Sequence, residues 1–362
     1  MIKWTKRLLV LTLVLGLFTC LKPIQIDLPS LDEGITISAY LSTKKGFQEV
    51  RIQRLAPFTN NGLNYPIKQA EVWITDNLGQ RQDFREDPIK EGIYLPRNAD
   101  YVGEPGKTYV LHITTSDQRE IESSPQTLRA VPPIKKVYSE EIIVENSRLG
   151  KVVNGFNVML DVDDPPSEGD YYRWNWLHYE QLDFCAQFDD FPAGGVTQYK
   201  TLVGLRCCQP CWGIVPCFSN CANVLSDALS NGKTISRHRI SRIPYCPKDY
   251  YIEIQQRSIS REAYDYWRTI DQLTTNNGSL FDTAPAAVRG NLKCVSDPAQ
   301  AVYGLFEVSD FEEDGFFIIR TNTSKPGLYT CEPKPLPAVS SACVTCEESA
   351  YRTQIKPRFW NR

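Results

Sequence analysis

The chain has 362 residues, with 40 Lys and Arg against 43 Asp and Glu and a formal charge of −3 at neutral pH. A mildly acidic chain with no basic run lacks the electrostatic footprint of a nucleic-acid binder, so no nucleic-acid partner is expected. Apolar residues make up 42% of it, enough for a sizeable core, and the length suits two domains.

Residues 1–19 read as a secretory signal peptide. Lys3, Lys6 and Arg7 are followed by an apolar run over 8–18. That run is shorter than the ~20 residues a bilayer-spanning helix needs. It ends in Leu17-Phe18-Thr19-Cys20, with the Leu three before a cysteine that marks a bacterial lipidation site. Acylated Cys20 would hold the chain to a lipid bilayer, since two or three acyl chains anchor stably where one does not. Residues 20–32, with Pro23 and Pro29, form a tether.

Residues 33–131 read as strands. Ile35, Ile37 and Ala39 alternate with polar neighbours, as do Ala70, Val72 and Ile74, and then Tyr109, Leu111 and Ile113. Asp76-Asn77-Leu78-Gly79 and Gly103-Glu104-Pro105-Gly106 supply turns. Period-two patterning broken by turns predicts a small Ig-like or transthyretin-like β-sandwich. Val131-Pro132-Pro133 marks a hinge, because paired prolines stop both helix and ladder.

A second β-sandwich-like domain is expected over 132–330. Phe156, Val158, Leu160 and Val162 alternate, and Tyr171-Tyr172-Arg173-Trp174-Asn175-Trp176 is an aromatic strand. Strand character returns at 250–254, 301–306 and 316–320. One helix is expected over 260–275, packed on the sheet. Ser260 is its N-cap, and Glu262 suits the dipole of its first turn. Ala263, Tyr266, Trp267, Ile270 and Leu273 share one face. Residues 331–362 form a cysteine-containing tail.

Beyond Cys20 the cysteines all fall in the second half: Cys185, Cys207, Cys208, Cys211, Cys217, Cys221, Cys246, Cys294, Cys331, Cys343 and Cys346. In an exported chain such crowding predicts disulfides. Their odd number leaves one over. Zinc is the rival reading, since Cys208-x-x-Cys211 and Cys343-x-x-Cys346 have ligand-like spacing. Residues 183–246 read as a cysteine-rich insertion held by such staples. Phe184, Phe188, Phe191, Trp212 and Phe218 are its candidate contact surface, with packing under the loop as the alternative.

Asp161, Asp163, Asp164, Glu168 and Asp170 crowd one turn, a weak calcium candidate against a plain solvated turn. No Gly-x-Ser-x-Gly, His-Glu-x-x-His or phosphate loop is present, so neither a cofactor nor an enzymatic activity is expected. A triad assembled from distant residues stays open to a fold that brings them together.

Several motifs then carry a resemblance. They are Tyr171-Tyr172-Arg173-Trp174, the block over 254–267, Gly278-Ser279-Leu280-Phe281-Asp282, Arg289-Gly290-Asn291-Leu292-Lys293-Cys294, Cys343-x-x-Cys346 and Lys356-Pro357-Arg358-Phe359-Trp360. In this order they resemble the DUF4249 family of Bacteroidota lipoproteins. The resemblance implies a non-enzymatic lipoprotein of the outer membrane, on the cell surface, often encoded beside a TonB-dependent receptor. Such a receptor is the partner it implies, with the lipoprotein capturing or presenting a ligand. A structural or adhesive surface protein is the alternative, and a hydrolase a lesser one. The family carries no established activity, so no catalytic residue follows from it.

Mass spectrometry of the mature N-terminus should find a lipid-modified Cys20, and Cys20→Ala should release the body into the soluble periplasmic fraction. Cleavage elsewhere, without lipid, would refute the assignment.

Overall fold

The structure is a computed structural model that describes residues 34–55, 64–146, 151–190, 201–218, 220–244, 249–275, 288–320 and 338–361. Cys20, the tether, Phe191, Cys246 and Cys331 lie outside the described residues, as does the side chain of Phe188.

The first part of the chain supplies β1 (Ile35–Ser42), β2 (Glu49–Arg54), β3 (Tyr65–Pro66), β4 (Glu71–Asp76), β5 (Arg81–Glu86), β6 (Ile93–Pro96), β7 (Thr108–Thr114), β8 (Glu120–Ser123) and β9 (Gln126–Thr127). The middle supplies β10 (Ile134–Asn146), β11 (Lys151–Asp163), β12 (Tyr171–Gln181), β13 (Phe184–Asp190), β14 (Thr201–Cys207), β15 (Trp212–Pro216), β16 (Asn223–Ser226), β17 (Thr234–Pro244) and β18 (Tyr250–Ile259). Then come helix α1 (Arg261–Thr275), β19 (Leu292–Cys294), β20 (Val302–Ser309), β21 (Phe311–Ile318), β22 (Ala338–Val344) and β23 (Arg352–Thr353). No helix among the described residues is long and apolar enough to cross a membrane.

The alternating segments of the N-terminal part are strands, with Ile35, Ile37, Val72, Ile74, Leu111 and Ile113 pointing into one core. The turn after β4 forms as its residues require. Asp76 Oδ1 accepts from the amides of Leu78 and Gln80, both at 2.9 Å, and Gly79 takes φ +77°.

Two facing sheets were expected here. The strands instead form one continuous sheet, ordered β19-β8-β7-β4-β5-β6-β2-β1-β20, which curls into a nearly closed barrel. Nor does this unit end at residue 131. Its two end strands, β19 and β20, come from beyond α1, because Leu292, Cys294, Val302 and Phe306 carry the apolar pattern that fills its core. β20 runs parallel to β1 from Ile35↔Val302 to Ser42↔Ser309.

The motif at 289–294 closes the seam. Asn291 uses its side-chain amide as a strand would use its backbone. Its Nδ2 donates to the Phe306 carbonyl at 2.8 Å, and its Oδ1 accepts from the Phe306 amide at 2.9 Å. Beside it the backbones nearly touch. A Cβ on Gly290 would sit 2.0 Å from the Gly304 oxygen, and one on Gly304, at φ +98°, 1.9 Å from the Ile37 oxygen.

The second unit is sandwich-like. One sheet is β10-β11-β17, the other β21-β18-β12-β15-β23 with β16 also on β12. Val158, Leu160, Val162, Ile235 and Ile243 from the first sheet meet Trp174, Trp176, Ile252, Ile254 and Ile318 from the second in one core. The stretch read as an insertion therefore supplies three strands of the sandwich. β17 extends one sheet and β15 and β16 the other, because Ile235, Ile240 and Ile243 bury an apolar face.

A small third sheet, β13-β14-β22, carries the cysteines. Cys185 bonds Cys207, Cys208 bonds Cys343, Cys211 bonds Cys346, and Cys217 bonds Cys221. The two Cys-x-x-Cys pairs thus bridge each other. Cys294 is free and packs inside the barrel.

Helix α1 begins as read. Ser260 Oγ accepts from the Ala263 amide at 3.2 Å, and the Ala263, Tyr266 and Trp267 face meets Ile259 and Leu305. Asn291→Ala would strand a buried amide and a buried carbonyl of Phe306. It should cost about 3 kcal/mol in urea unfolding, with the slope unchanged. A loss under ~0.5 kcal/mol would mean the seam does not depend on it.

Candidate functional site

A candidate site in the described residues is a cleft of about 390 Å³ over the outer face of the second sandwich sheet. Its floor follows from strand register. Alternate residues of β12, β18 and β21 point away from the sandwich core, and pairing lines them up in rows. Tyr179, Tyr251 and Phe317 form one row, Leu177, Glu253 and Gly315 the next, and Asn175, Gln255 and Glu313 the third. Arg173, Arg257 and Phe311 form the fourth.

Such a polar face normally meets water. Here it is covered at both ends, and all ten residues of β18 are buried. At the arginine end the barrel sits on it. Glu307 of β20, with no exposure, accepts from Arg173 Nη1 at 3.2 Å and from Trp267 Nε1 at 2.7 Å, and lies 3.8 Å from Arg257 Nη1. The Arg173 guanidinium stacks on the Trp267 ring at 3.6 Å. At the aromatic end lies the C-terminal tail. Trp360 meets Tyr251, Phe317 and Trp212, and Phe359 passes so close to Gly315 that a Cβ there would fall 2.4 Å from its own.

Between these covers the cleft stays open. Lys44 and Phe47 of the β1–β2 loop wall one side, and Thr353 to Arg358 of the tail the other. The loop is clamped to the second unit. Thr43 Oγ1 donates to Asp310 Oδ1 at 2.6 Å, and Phe47 packs on Phe311 with centroids 5.0 Å apart. Lys44 Nζ pairs with Glu313, which also has Arg358 Nη1 at 3.8 Å.

Glu253 is 6% exposed and accepts from the Tyr251 hydroxyl at 2.7 Å. Burial pushes its carboxyl above the ordinary 4.5. The Tyr251 hydrogen bond opposes this, Glu313 adds to it, and Lys44 and Arg358 pull it back. Burial, with Glu253 and Glu313 nearby, pushes the Tyr179 phenol up to about 12. The cleft can thus offer carboxyl groups, an amide and aromatic faces to a small polar ligand.

The residues singled out from sequence are not brought together here. Trp212, 5% exposed, is buried under Trp360 and contributes packing rather than contact surface. Phe184 is half-buried on β13. Phe218 is 69% exposed and meets Trp176 edge-on.

The acidic turn is split, although Asp164, whose pKa burial raises, still feels the charges of Asp227 and Asp170. Asp161 accepts from Tyr138 and the Arg237 amide, Asp163 pairs with Lys135, Asp164 accepts from Tyr172, and Asp170 pairs with Arg129. Glu168 lends its backbone carbonyl to Arg129 at 3.3 Å. Among the described residues, the sole set of three metal-type ligand atoms is Cys185, Cys211 and Cys346, all within the disulfides.

One hydrogen-bonded relay does assemble from distant residues. Thr75 Oγ1 lies 2.9 Å from His112 Nε2, and His112 Nδ1 lies 3.2 Å from Glu122 Oε1. It runs across β4, β7 and β8 in the middle of the barrel sheet, under the stacked ring of Trp73. Thr75 is paired on both sides, with Arg81 and Val110, so its surroundings are committed to the ladder and not free to hold an oxyanion. His178 stacks on Tyr250, and His238 is half-buried against Trp174, with desolvation and the nearby Arg239 lowering its pKa to about 4.

Sequence reasoning missed Glu253, Glu313, Lys44 and Tyr179. The signal for the floor was present: Glu253, Gln255 and Arg257 alternate with Ile252, Ile254 and Gln256, a polar row that reads as a solvent face.

Glu253 yields a signed pH effect. The unfolded chain ionises it near 4.5, the folded chain only at higher pH, so it costs stability as pH rises through that window and nothing below it. Glu253→Gln should therefore match the wild type at pH 4 and melt roughly 2 °C or more above it at pH 7. Equal melting at both would show that the buried carboxyl carries no penalty.

A search of the curated proteins finds no match to this chain. The family described as "Domain of unknown function (DUF4249)" matches residues 21–314, which span the barrel, α1 and most of the cleft floor. The chain belongs to the DUF4249 family.

Proposed function

We propose that this protein is a lipid-anchored lipoprotein of the outer membrane, on the cell surface, that captures a small polar ligand and presents it to a TonB-dependent transporter. The observation that carries the ligand-capturing part is the cleft itself. Its floor belongs to one unit, one wall to the other, and the opposite wall to a tail pinned by disulfides. Preorganised groups of this kind bind without first ordering a loop. Support for the anchor comes from the basic, then apolar, N-terminus ending at Cys20. Support for the transporter is the family association alone, an argument by analogy.

A non-enzymatic role fits the relay at His112, which lies in mid-sheet, and the cleft carboxylates, which are engaged by Tyr251, Lys44 and Arg358. Purification at native expression in mild detergent should recover a large outer-membrane barrel with the lipoprotein. Recovery of the lipoprotein alone, with deletion altering attachment or envelope integrity but not uptake, would replace this reading with a structural or adhesive one.

A further inference from the structure

We propose that the cleft binds an alkylammonium group, and that Lys44 is its intramolecular stand-in; this rests on the ligand-capture reading. The seat is already shown by the chain's own ammonium. Lys44 Nζ pairs with Glu313 and lies 4.9 Å from the Phe47 ring centroid and 4.7 Å from that of Phe311. A carboxylate with two ring faces is the environment that recognises an ammonium, through charge and the ring quadrupoles together.

Among the groups that line the cleft the fixed and the movable ones differ in sign; Arg257, whose guanidinium lies 4.5 Å from the Phe311 ring, is held beside Glu307 outside that lining. Glu253 and Glu313 are both nearly buried in the floor, on adjacent paired strands. The cations come from a loop and from the tail: the Lys44 side chain is 32% exposed and that of Arg358 74%. A ligand can displace what is exposed and flexible. It cannot displace a carboxylate held on a strand of the floor, as Glu253 is on β18 and Glu313 on its paired neighbour β21. Glu253 adds a second carboxyl beside Glu313 that a further positive charge would favour in its ionised form. Tyr179 offers an aromatic wall for the ligand's apolar stem.

Loss of Lys44 should therefore increase affinity for amines. A tethered competitor acts at high effective concentration, and its removal gives that back to the ligand. The loop keeps its clamp through Thr43–Asp310 and Phe47–Phe311.

The test titrates the full chain with putrescine, citrate and glucose by calorimetry, in the wild type, Lys44→Met, Glu313→Gln and Tyr179→Ala. Putrescine should bind Lys44→Met about tenfold more tightly than the wild type, and Glu313→Gln should lose it. NMR of reductively methylated lysines covers the wild type itself: the Lys44 signal should move to its solvent-exposed position as putrescine is added. No gain in Lys44→Met with an unmoved Lys44 signal, or full binding by Glu313→Gln, overturns the proposal. If citrate or glucose binds in a Tyr179-dependent way and putrescine does not, the ammonium assignment falls and ligand capture stands. If none of the three binds either the wild type or Lys44→Met at up to ~50 mM, both fall.

Discussion

Glu307 has no exposure to solvent, yet it carries a carboxylate between Arg173 and Arg257. Three desolvated charges are expensive to assemble, and attraction in a low-dielectric interior repays the cost only when geometry and hydrogen bonds are complete. Here the Trp267 indole supplies one bond and its ring face a seat for Arg173. Burial lowers the Arg257 pKa and Glu307 raises it again. Among the described residues Arg173 Nε stays without a partner, so the set is close to complete but not fully so. A group of this kind gives little net stability, but removing one of its members would orphan a buried charge at about 3–5 kcal/mol. The cleft lies along this contact of barrel and sandwich. Its Lys44 wall comes from the loop after β1, which pairs with β20, the strand that carries Glu307, and is clamped by Thr43–Asp310 and Phe47–Phe311.

The other wall depends on covalent staples. Cys208–Cys343 and Cys211–Cys346 each join residues 135 apart in sequence. The first closure of so long a loop removes on the order of 5 kcal/mol of chain entropy from the unfolded state, and the second, parallel bridge mainly fixes direction. Beyond them the tail runs back over the sheet, gripped by Gly315 and the rings around Trp360. The segment at 356–360 is thus a packing device, as is the one at 289–294.

Strand positions were legible because period-two alternation is local. β1, β4, β7, β11, β12 and β18 all lie where the apolar residues alternate, and Ser260 caps α1 as its chemistry demands. What alternation does not carry is partner choice. The stretch 301–306 reads as a strand, but nothing local says that the observed β20 runs beside β1. The same limit hid the site. Glu253 and Gln255 look like solvent-facing residues of a two-sided strand, and they become a cleft floor only through a loop near residue 44 and a tail near residue 358. For Trp212 contact and packing both stayed open, since an aromatic in a cysteine-rich stretch gives no hint of the Trp360 that covers it.

The parallel pairing of β1 with β20 also governs how the chain can fold. β1 is among the first segments to emerge in synthesis or export, and β20 emerges after the whole sandwich and α1. Until then one long edge of the barrel, carrying Ile35, Ile37, Ala39 and Leu41, has no neighbour. An open apolar edge of this length is a template for wrong pairing. Contacts so far apart in sequence also slow closure, because loop entropy is spent before they form. Closure of the barrel therefore waits for β20, although most of its strands come first. A chain cut before residue 302 would retain the sandwich sequences up to β18 and leave the first unit unsealed.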